Sequence, residues 1–144
     1  MTDSGDLLIA ARAELPATIE LRRDLHRHPE LGNDLPRTQG AVLDALAPLR
    51  IAIETGDQLS SVVATLDTGR PGPTMLLRGD MDALPMDEDT DVEFRSEVPG
   101  AMHACGHDAH TAMLVSAARL LVDRSDDLTG TVVFMFQPGE EGMD

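Results

Sequence analysis

The nine residues Met102-His103-Ala104-Cys105-Gly106-His107-Asp108-Ala109-His110 contain three of the five histidines in the chain and its only cysteine. A thiolate and a neutral imidazole are good ligands for zinc and related divalent ions, and the small residue between Cys105 and His107 lets both side chains reach one ion. The pattern therefore indicates a metal site. The alternative stays open at this point, because a lone cysteine is commonly a small buried apolar residue and accepted metal sites need further ligands elsewhere.

The residues that follow this stretch have the periodicity of an amphipathic helix. Between Asp108 and Asp123, the apolar face comprises Ala109, Ala112, Met113, Ala117, Leu120 and Leu121. The cysteine and histidine then lie at a helix N-terminus, where the helix dipole and free amide groups favour a thiolate.

Two apolar runs predict strands that end in acidic residues. Thr74–Leu77 is nearly continuous, so we expect a strand buried on both faces, with Asp80 and Asp82 after it. These aspartates alternate along the strand direction, so only one is expected to face a given site; the alternative is that both serve the turn. The strand Thr131–Phe136 leads to the adjacent pair Glu140-Glu141. One glutamate can bind a metal while its neighbour stays free as a base, or both are ordinary acidic residues that open a helix.

The rest of the chain predicts further helices and short strands. Residues 7–28 indicate a helix broken near Pro16, in which His26 and His28 add positive charge near the C-terminal end, an explanation we prefer to metal ligation. Residues 86–100 are acidic and irregular and predict an exposed loop without the ligand spacing of a calcium site. The remaining predicted elements are a helix at 38–49 and strands at 51–54 and 62–66.

Composition limits the classes of function. A chain of 144 residues fits one domain, and a net charge of −15, from 26 acidic and 11 basic residues, argues against nucleic acid or an anionic membrane as partner. No apolar stretch has the length of a membrane span, the start of the chain lacks the basic residues of a secretory signal, and one cysteine cannot form an intramolecular disulfide. We therefore expect a cytoplasmic protein.

Four separated stretches together resemble one family, the amidohydrolase branch of the aminoacylase and carboxypeptidase-type metallopeptidases. This branch includes hippurate hydrolases, N-acyl-amino-acid amidohydrolases and auxin-conjugate hydrolases. The stretches are Asp24-Leu25-His26-Arg27-His28-Pro29-Glu30-Leu31-Gly32, Arg78-Gly79-Asp80-Met81-Asp82-Ala83-Leu84-Pro85-Met86, Met102–Leu114 and Phe136-Gln137-Pro138-Gly139-Glu140-Glu141-Gly142.

The resemblance implies an α/β fold, with a mixed β-sheet flanked by helices, as part of a three-layer α/β/α zinc-peptidase-like catalytic domain. It implies a metal-dependent hydrolase that cleaves the amide bond of N-acyl amino acids such as hippurate or N-acetyl amino acids. The implied cofactors are two divalent ions of zinc, manganese, cobalt or nickel, which activate water and polarise the substrate carbonyl. The implied partner is the small-molecule substrate.

The same resemblance assigns roles to individual residues. Cys105, His107 and Glu141 match metal ligands, and Glu140 matches the general base that takes a proton from the activated water. Asp82, the stronger candidate of the two aspartates, matches a residue of the catalytic site that orients the ligands. His110 matches no ligand position.

Members of the resembled family are much longer than this chain. We therefore expect residues 1–144 to be the N-terminal portion of the metal-dependent catalytic domain. The absent part would hold two further histidine ligands, the remaining strands and a lid domain through which the full enzyme forms a homo-oligomer. The expectation is a truncated, weakly active or inactive amidohydrolase. The alternative is a non-catalytic product that binds metal weakly or self-associates through uncovered apolar surface.

Overall fold

A computed structural model describes residues 4–142 of the chain. The ends at 1–3 and 143–144, which the predicted catalytic portion includes, lie outside the described residues. The elements in chain order are α1 (Ser4–Arg27), α2 (Pro36–Leu46), β1 (Ala52–Thr55), β2 (Val62–Asp67), β3 (Thr74–Asp80), α3 (His107–Asp123), a short 3-10 helix (Ser125–Asp127) and β4 (Thr131–Gln137).

The four strands form one mixed sheet in the order β1-β2-β4-β3. β2 pairs antiparallel with both β1 and β4, whereas β3 and β4 run parallel and are connected through α3. Because their register pairs Asp80 with Gln137, the segments that follow these two parallel strands leave the sheet side by side, at the carboxyl ends of the strands. The predicted mixed sheet flanked by helices is confirmed.

The hydrophobic core lies between one face of the sheet and the helices α2 and α3. Val62, Ala64 and Leu66 alternate along β2 and pack with Phe134 and Phe136 of β4, both of which are fully buried. The helices contribute Val42 and Leu46 of α2 and Leu114, Val115 and Ala118 of α3. This packing holds the N-terminus of α3 close to the carboxyl ends of β3 and β4.

The predicted break in the first helix is wrong, because α1 continues through Pro16 as one helix of 24 residues. Proline removes one backbone N–H, but packing against α3 on either side of it outweighs that loss. The Thr18 and Ser116 hydroxyls are 2.7 Å apart, and Arg119 Nη1 lies 3.4 Å from Glu14 Oε2. Within residues 4–142, no helix combines the length and apolar character that crossing a bilayer requires.

The predicted burial of β3 on both faces is also wrong. β3 pairs only with β4 among the described strands, so it is an edge strand, and Met75 and Leu76 are 58% and 53% exposed. A continuous apolar run is typical of a central strand, but it carries no information about which neighbours flank it. The helix predicted at 38–49 begins at Pro36 and ends at Leu46.

Candidate metal centre

Asp82 connects the two segments that leave the sheet beside each other. Its carboxylate is fully buried, and it accepts the backbone N–H of Glu140 at 3.1 Å and that of Glu141 at 2.9 Å. Gly139 makes the turn before the glutamates with φ +66°, and a Cβ there would lie 2.1 Å from Asn33 Oδ1. The position of the glutamate pair is therefore fixed both by a buried anion and by a turn that requires glycine.

His107 begins α3 and presents one ring nitrogen to the glutamates. Its Nδ1 lies 2.8 Å from the backbone oxygen of Asp82, so Nδ1 carries the proton and donates it there. The other nitrogen, Nε2, lies 3.7 Å from Glu140 Oε2 and 3.9 Å from Glu141 Oε1. Because Nδ1 is engaged by the Asp82 carbonyl, Nε2 is the ring nitrogen that can bind a metal ion.

Cys105 completes a group of three ligand types. One donor atom from each of Cys105, His107 and Glu141 lies within 4.8 Å of the other two. Glu141 Oε1 is buried and has no hydrogen-bond partner among the described residues, which is costly unless a ligand occupies the site. Sulfur, nitrogen and carboxylate oxygen in one cluster suit zinc and similar divalent ions, so the residues present fit the implied metal.

The acid–base state of Cys105 differs from the expectation based on the helix dipole. The adjacent Glu141 side chain, as a hydrogen-bond acceptor, raises the pKa of the exposed Cys105 thiol, and the charges of Glu141, Glu140 and Asp80 act in the same direction. Carboxylates beside the sulfur outweigh the effect of the helix N-terminus. A bound cation would reverse this balance, because it favours the thiolate.

A second group of donors uses the same histidine. Donor atoms of Asp80, His107 and His110 also lie within 4.8 Å of one another, although the family resemblance assigns no ligand role to His110. The two groups compete, since His107 has only Nε2 available. Asp80 is also engaged by Arg78, whose Nη2 lies 2.7 Å from Oδ1, which weakens this second group as a cation site. Asp80 and Asp82 have different surroundings, but strand alternation is not the cause, because residues two apart face the same side of a strand. β3 ends at Asp80, and Asp82 lies beyond it.

A buried polar cluster of His26, Asp108 and Glu88, close to the candidate ligands, was not predicted from the sequence. His26 contacts Asp108 and Glu88, residues 82 and 62 positions away, and it is buried rather than a solvated charge at a helix end. His103 is also buried, and burial lowers its pKa to about 4. The predicted exposed loop at 86–100 is exposed in part only, because the Glu88 side chain is 2% exposed. Contacts this distant in sequence leave no local signal.

Comparison with known proteins supports the relationship indicated by the sequence. Residues 76–144 match the model of Peptidase family M20/M25/M40. The chain is 46% identical over 124 residues to thermostable carboxypeptidase 1 of Saccharolobus solfataricus, covering 85% of this chain and 32% of that protein. It is 45% identical over 124 residues to N-acetylcysteine deacetylase of Bacillus subtilis, covering 85% of this chain and 33% of that protein.

A solved structure from Bacillus subtilis, described as a dinuclear metal binding peptidase from the M20 family, superposes with a TM-score of 0.85 at 44% identity. The match covers 90% of this chain and 36% of that one. The chain thus spans about a third of the length of the curated relatives that it matches.

The described residues share the fold of part of this M20-family peptidase. Over residues 76–144 the chain is similar to peptidase family M20/M25/M40, and its relatives include proteins named as a deacetylase and as an N-acyl-L-amino acid amidohydrolase.

Proposed function

We propose that this chain is part of the catalytic domain of a metal-dependent amidohydrolase that cleaves N-acyl amino acids. In this proposal Cys105, His107 and Glu141 are metal ligands, Glu140 is the general base, and Asp82 holds the two glutamates in place. The observation that carries it is the cluster of sulfur, nitrogen and oxygen donors within 4.8 Å, together with a buried Glu141 oxygen that has no hydrogen-bond partner among residues 4–142.

Bound divalent ions would supply Lewis acidity toward the amide carbonyl and would make a nearby water more acidic. The described residues give three ligands, so two ions need further donors from other residues, water or substrate. This requirement is consistent with weak or absent turnover when only these ligands are available.

Glu140 suits a general base because its carboxylate lies beside the ligand cluster without being enclosed by it. Its Oε2 is 3.7 Å from His107 Nε2, and its side chain is 41% exposed, compared with 20% for Glu141. A partly exposed carboxylate can accept a proton from an attacking water and then deliver it to the leaving amine. Asp82 fixes its backbone position but does not hold its side chain, which leaves the carboxylate free to move between those positions.

The substrate class rests on relatives rather than on a visible pocket. Two similar proteins are named N-acetylcysteine deacetylase and N-acyl-L-amino acid amidohydrolase. Both names describe cleavage of an acyl group from an amino acid nitrogen, so N-acetyl amino acids and hippurate are the first substrates to assay. A cytoplasmic location and the absence of nucleic-acid and membrane partners are parts of the proposal that rest on the acidic composition and the single cysteine.

Metal binding to the purified 144-residue protein tests this proposal. Titration with Zn²⁺, Mn²⁺, Co²⁺ and Ni²⁺ should show binding that Cys105→Ser weakens, whereas Glu140→Gln should leave binding intact. In any form of the protein that hydrolyses N-acetyl amino acids or hippurate, Glu140→Gln should abolish turnover. Activity that survives this change would show that Glu140 is not the base, and a chain that binds none of these ions would contradict the metal site.

A second candidate function is supported by the exposed edge of the sheet. The backbone of β3 has only one strand neighbour in the described part of the chain, and Met75 and Leu76 present apolar surface there. Such an edge can pair with another chain, so a non-catalytic, self-associating protein is the alternative. Sedimentation at several concentrations distinguishes the two, because association without Cys105-dependent metal binding favours this candidate.

A further inference from the structure

His26 lies between two acidic side chains from different parts of the chain. It is in the last turn of α1 and is 4% exposed. Its Nδ1 lies 2.8 Å from Asp108 Oδ2, and its Nε2 lies 3.2 Å from Glu88 Oε1. One ring therefore joins α1 to the first turn of α3 and to the loop at 86–100.

Both nitrogens of the His26 ring face carboxylate oxygens. A neutral imidazole has one N–H and can donate to only one of the two carboxylates, whereas a ring with both nitrogens protonated donates to both. Arg22 Nε also donates to Asp108 Oδ2 at 2.9 Å, which brings a second basic side chain to the same carboxylate.

The Glu88 side chain, in the loop at 86–100, is itself fixed by several contacts. Glu88 accepts the Thr90 hydroxyl at 2.6 Å and the backbone N–H of Ser96 at 2.6 Å. Phe94 covers the cluster, with its ring in edge contact with His26 at 5.4 Å and beneath the guanidinium of Arg23 at 4.9 Å. The loop thus presents Glu88 to His26 from a fixed position.

Both carboxylates are coupled to the candidate ligands through the backbone. Asp108 directly follows His107 and is fully buried. The loop at 86–100 is flanked by Leu84 and Met102, which exchange backbone hydrogen bonds of 2.9 and 3.0 Å. The segment after Met102 carries Cys105, so movement of Glu88 or Asp108 would also move the candidate ligands Cys105 and His107.

We propose that His26 is a positioning residue for the metal centre. Its ring contacts Asp108 and Glu88 at the same time, and it thereby holds α3 and the loop at 86–100 in the arrangement that brings Cys105 and His107 together. This inference rests on the proposed metal site and adds a residue that contacts neither the metal ligands nor the substrate. Changes to residues that support metal ligands typically reduce metal affinity about 10–100-fold, and a loss in this range is expected when both His26 bonds are removed.

The test compares Co²⁺ binding to the full 144-residue chain and to variants of the two histidines near the end of α1. His26→Leu removes both donors, and His26→Gln retains one donor group and should partly restore binding. His28→Leu is the matched control, because His28 lies just beyond α1, is 30% exposed and bonds the nearby Asp24 carbonyl. Its contact with the loop is a longer one of 3.7 Å to the exposed Glu97 carboxylate. The readouts are Co²⁺ affinity, the thiolate-to-cobalt charge-transfer absorption and, as a check on folding, the urea midpoint.

The inference predicts that His26→Leu lowers affinity at least tenfold and alters the cobalt spectrum, that His26→Gln lies between it and the wild type, and that His28→Leu matches the wild type. Glu88→Gln acts from the loop side without changing α1 or α3, and it should weaken binding in the same direction even where His26→Leu fails to fold. Equal affinity and spectra in folded His26→Leu or in Glu88→Gln would overturn the inference while the metal site stands. Wild-type protein without Cys105-dependent Co²⁺ binding would refute the proposed metal site itself.

Discussion

Replacement of Asp82 by asparagine tests how the glutamate pair is held. The carboxylate of Asp82 gives one oxygen to the N–H of Glu140 at 3.1 Å and the other to the N–H of Glu141 at 2.9 Å. Asparagine has a single acceptor oxygen, so one of these amide groups would face an NH₂ group instead. Leaving such a donor without an acceptor costs about 1–3 kcal/mol, and the loss should appear as a lower free energy of unfolding in urea.

The same change should reduce metal affinity, because the unpaired amide group lets the turn that carries Glu141 shift away from Cys105 and His107. By analogy with other residues that orient ligands, the loss should be about 10–100-fold. Titration of the variant and the wild type with Co²⁺ measures it, with urea midpoints recorded on the same samples.

Asp80→Asn is the matched control for this experiment. Asp80 lies two residues earlier on the same segment, but its Oδ1 accepts from Arg78 and it holds neither glutamate. It should leave Co²⁺ affinity within about twofold of the wild type, a margin well below the effect expected from loss of an orienting residue. Co²⁺ affinity of Asp82→Asn equal to that of the wild type would show that Asp82 does not hold the glutamate pair in place for the metal. A loss confined to Asp80→Asn would assign the ion to the group of Asp80, His107 and His110.

Three further predictions concern stability and reactivity. Burial lowers the pKa of His103 from 6.5 to about 4, so the stability associated with the neutral ring is fully present above pH 6.5 and is lost as pH falls toward 4. The loss of stability approaches about 3 kcal/mol. The free energy of unfolding in urea should therefore be lower at pH 5 than at pH 7, and His103→Leu should reduce this difference. An unchanged difference in His103→Leu would contradict the role of His103. Phe134→Ala should destabilise the protein by about 3–5 kcal/mol through loss of a fully buried ring, whereas a cost below about 1 kcal/mol would show that the core is not closely packed there. Because the Glu141 carboxylate raises the pKa of the Cys105 thiol, alkylation by iodoacetamide at pH 7 should be faster in Glu141→Gln than in the wild type, and an equal or slower rate would exclude this effect.

Much of the fold was accessible from periodicity and from strand ends. The apolar periodicity between Asp108 and Asp123 located α3 to within one residue, and the apolar runs located β2 and β4. The predicted apolar face of α3 is wrong in part, because Met113 is exposed and Leu114, Val115 and Ala118 enter the core instead. The site residues could be listed because Cys105 and His107 lie in one histidine-rich stretch and acidic residues follow two predicted strands, while their roles came from the family resemblance. The structure brings Cys105, His107 and Glu141 together, while their roles as ligands stay predictions.

Other features depended on contacts that no local pattern records. The exposure of Met75 follows from the order of the strands, which the apolar run at β3 does not encode. The continuity of α1 through Pro16 depends on packing against α3. The positions of His26 and Glu88 could not be derived either, because their contact joins residues 62 positions apart.

The proposed binding of one divalent ion by Cys105, His107 and Glu141 can be observed in a zinc-edge anomalous difference map from crystals of the zinc-loaded protein. A peak is expected about 2.0–2.3 Å from Cys105 Sγ, His107 Nε2 and a Glu141 carboxylate oxygen. A peak between Asp80 and His110 instead, or no peak at saturating zinc, would contradict it.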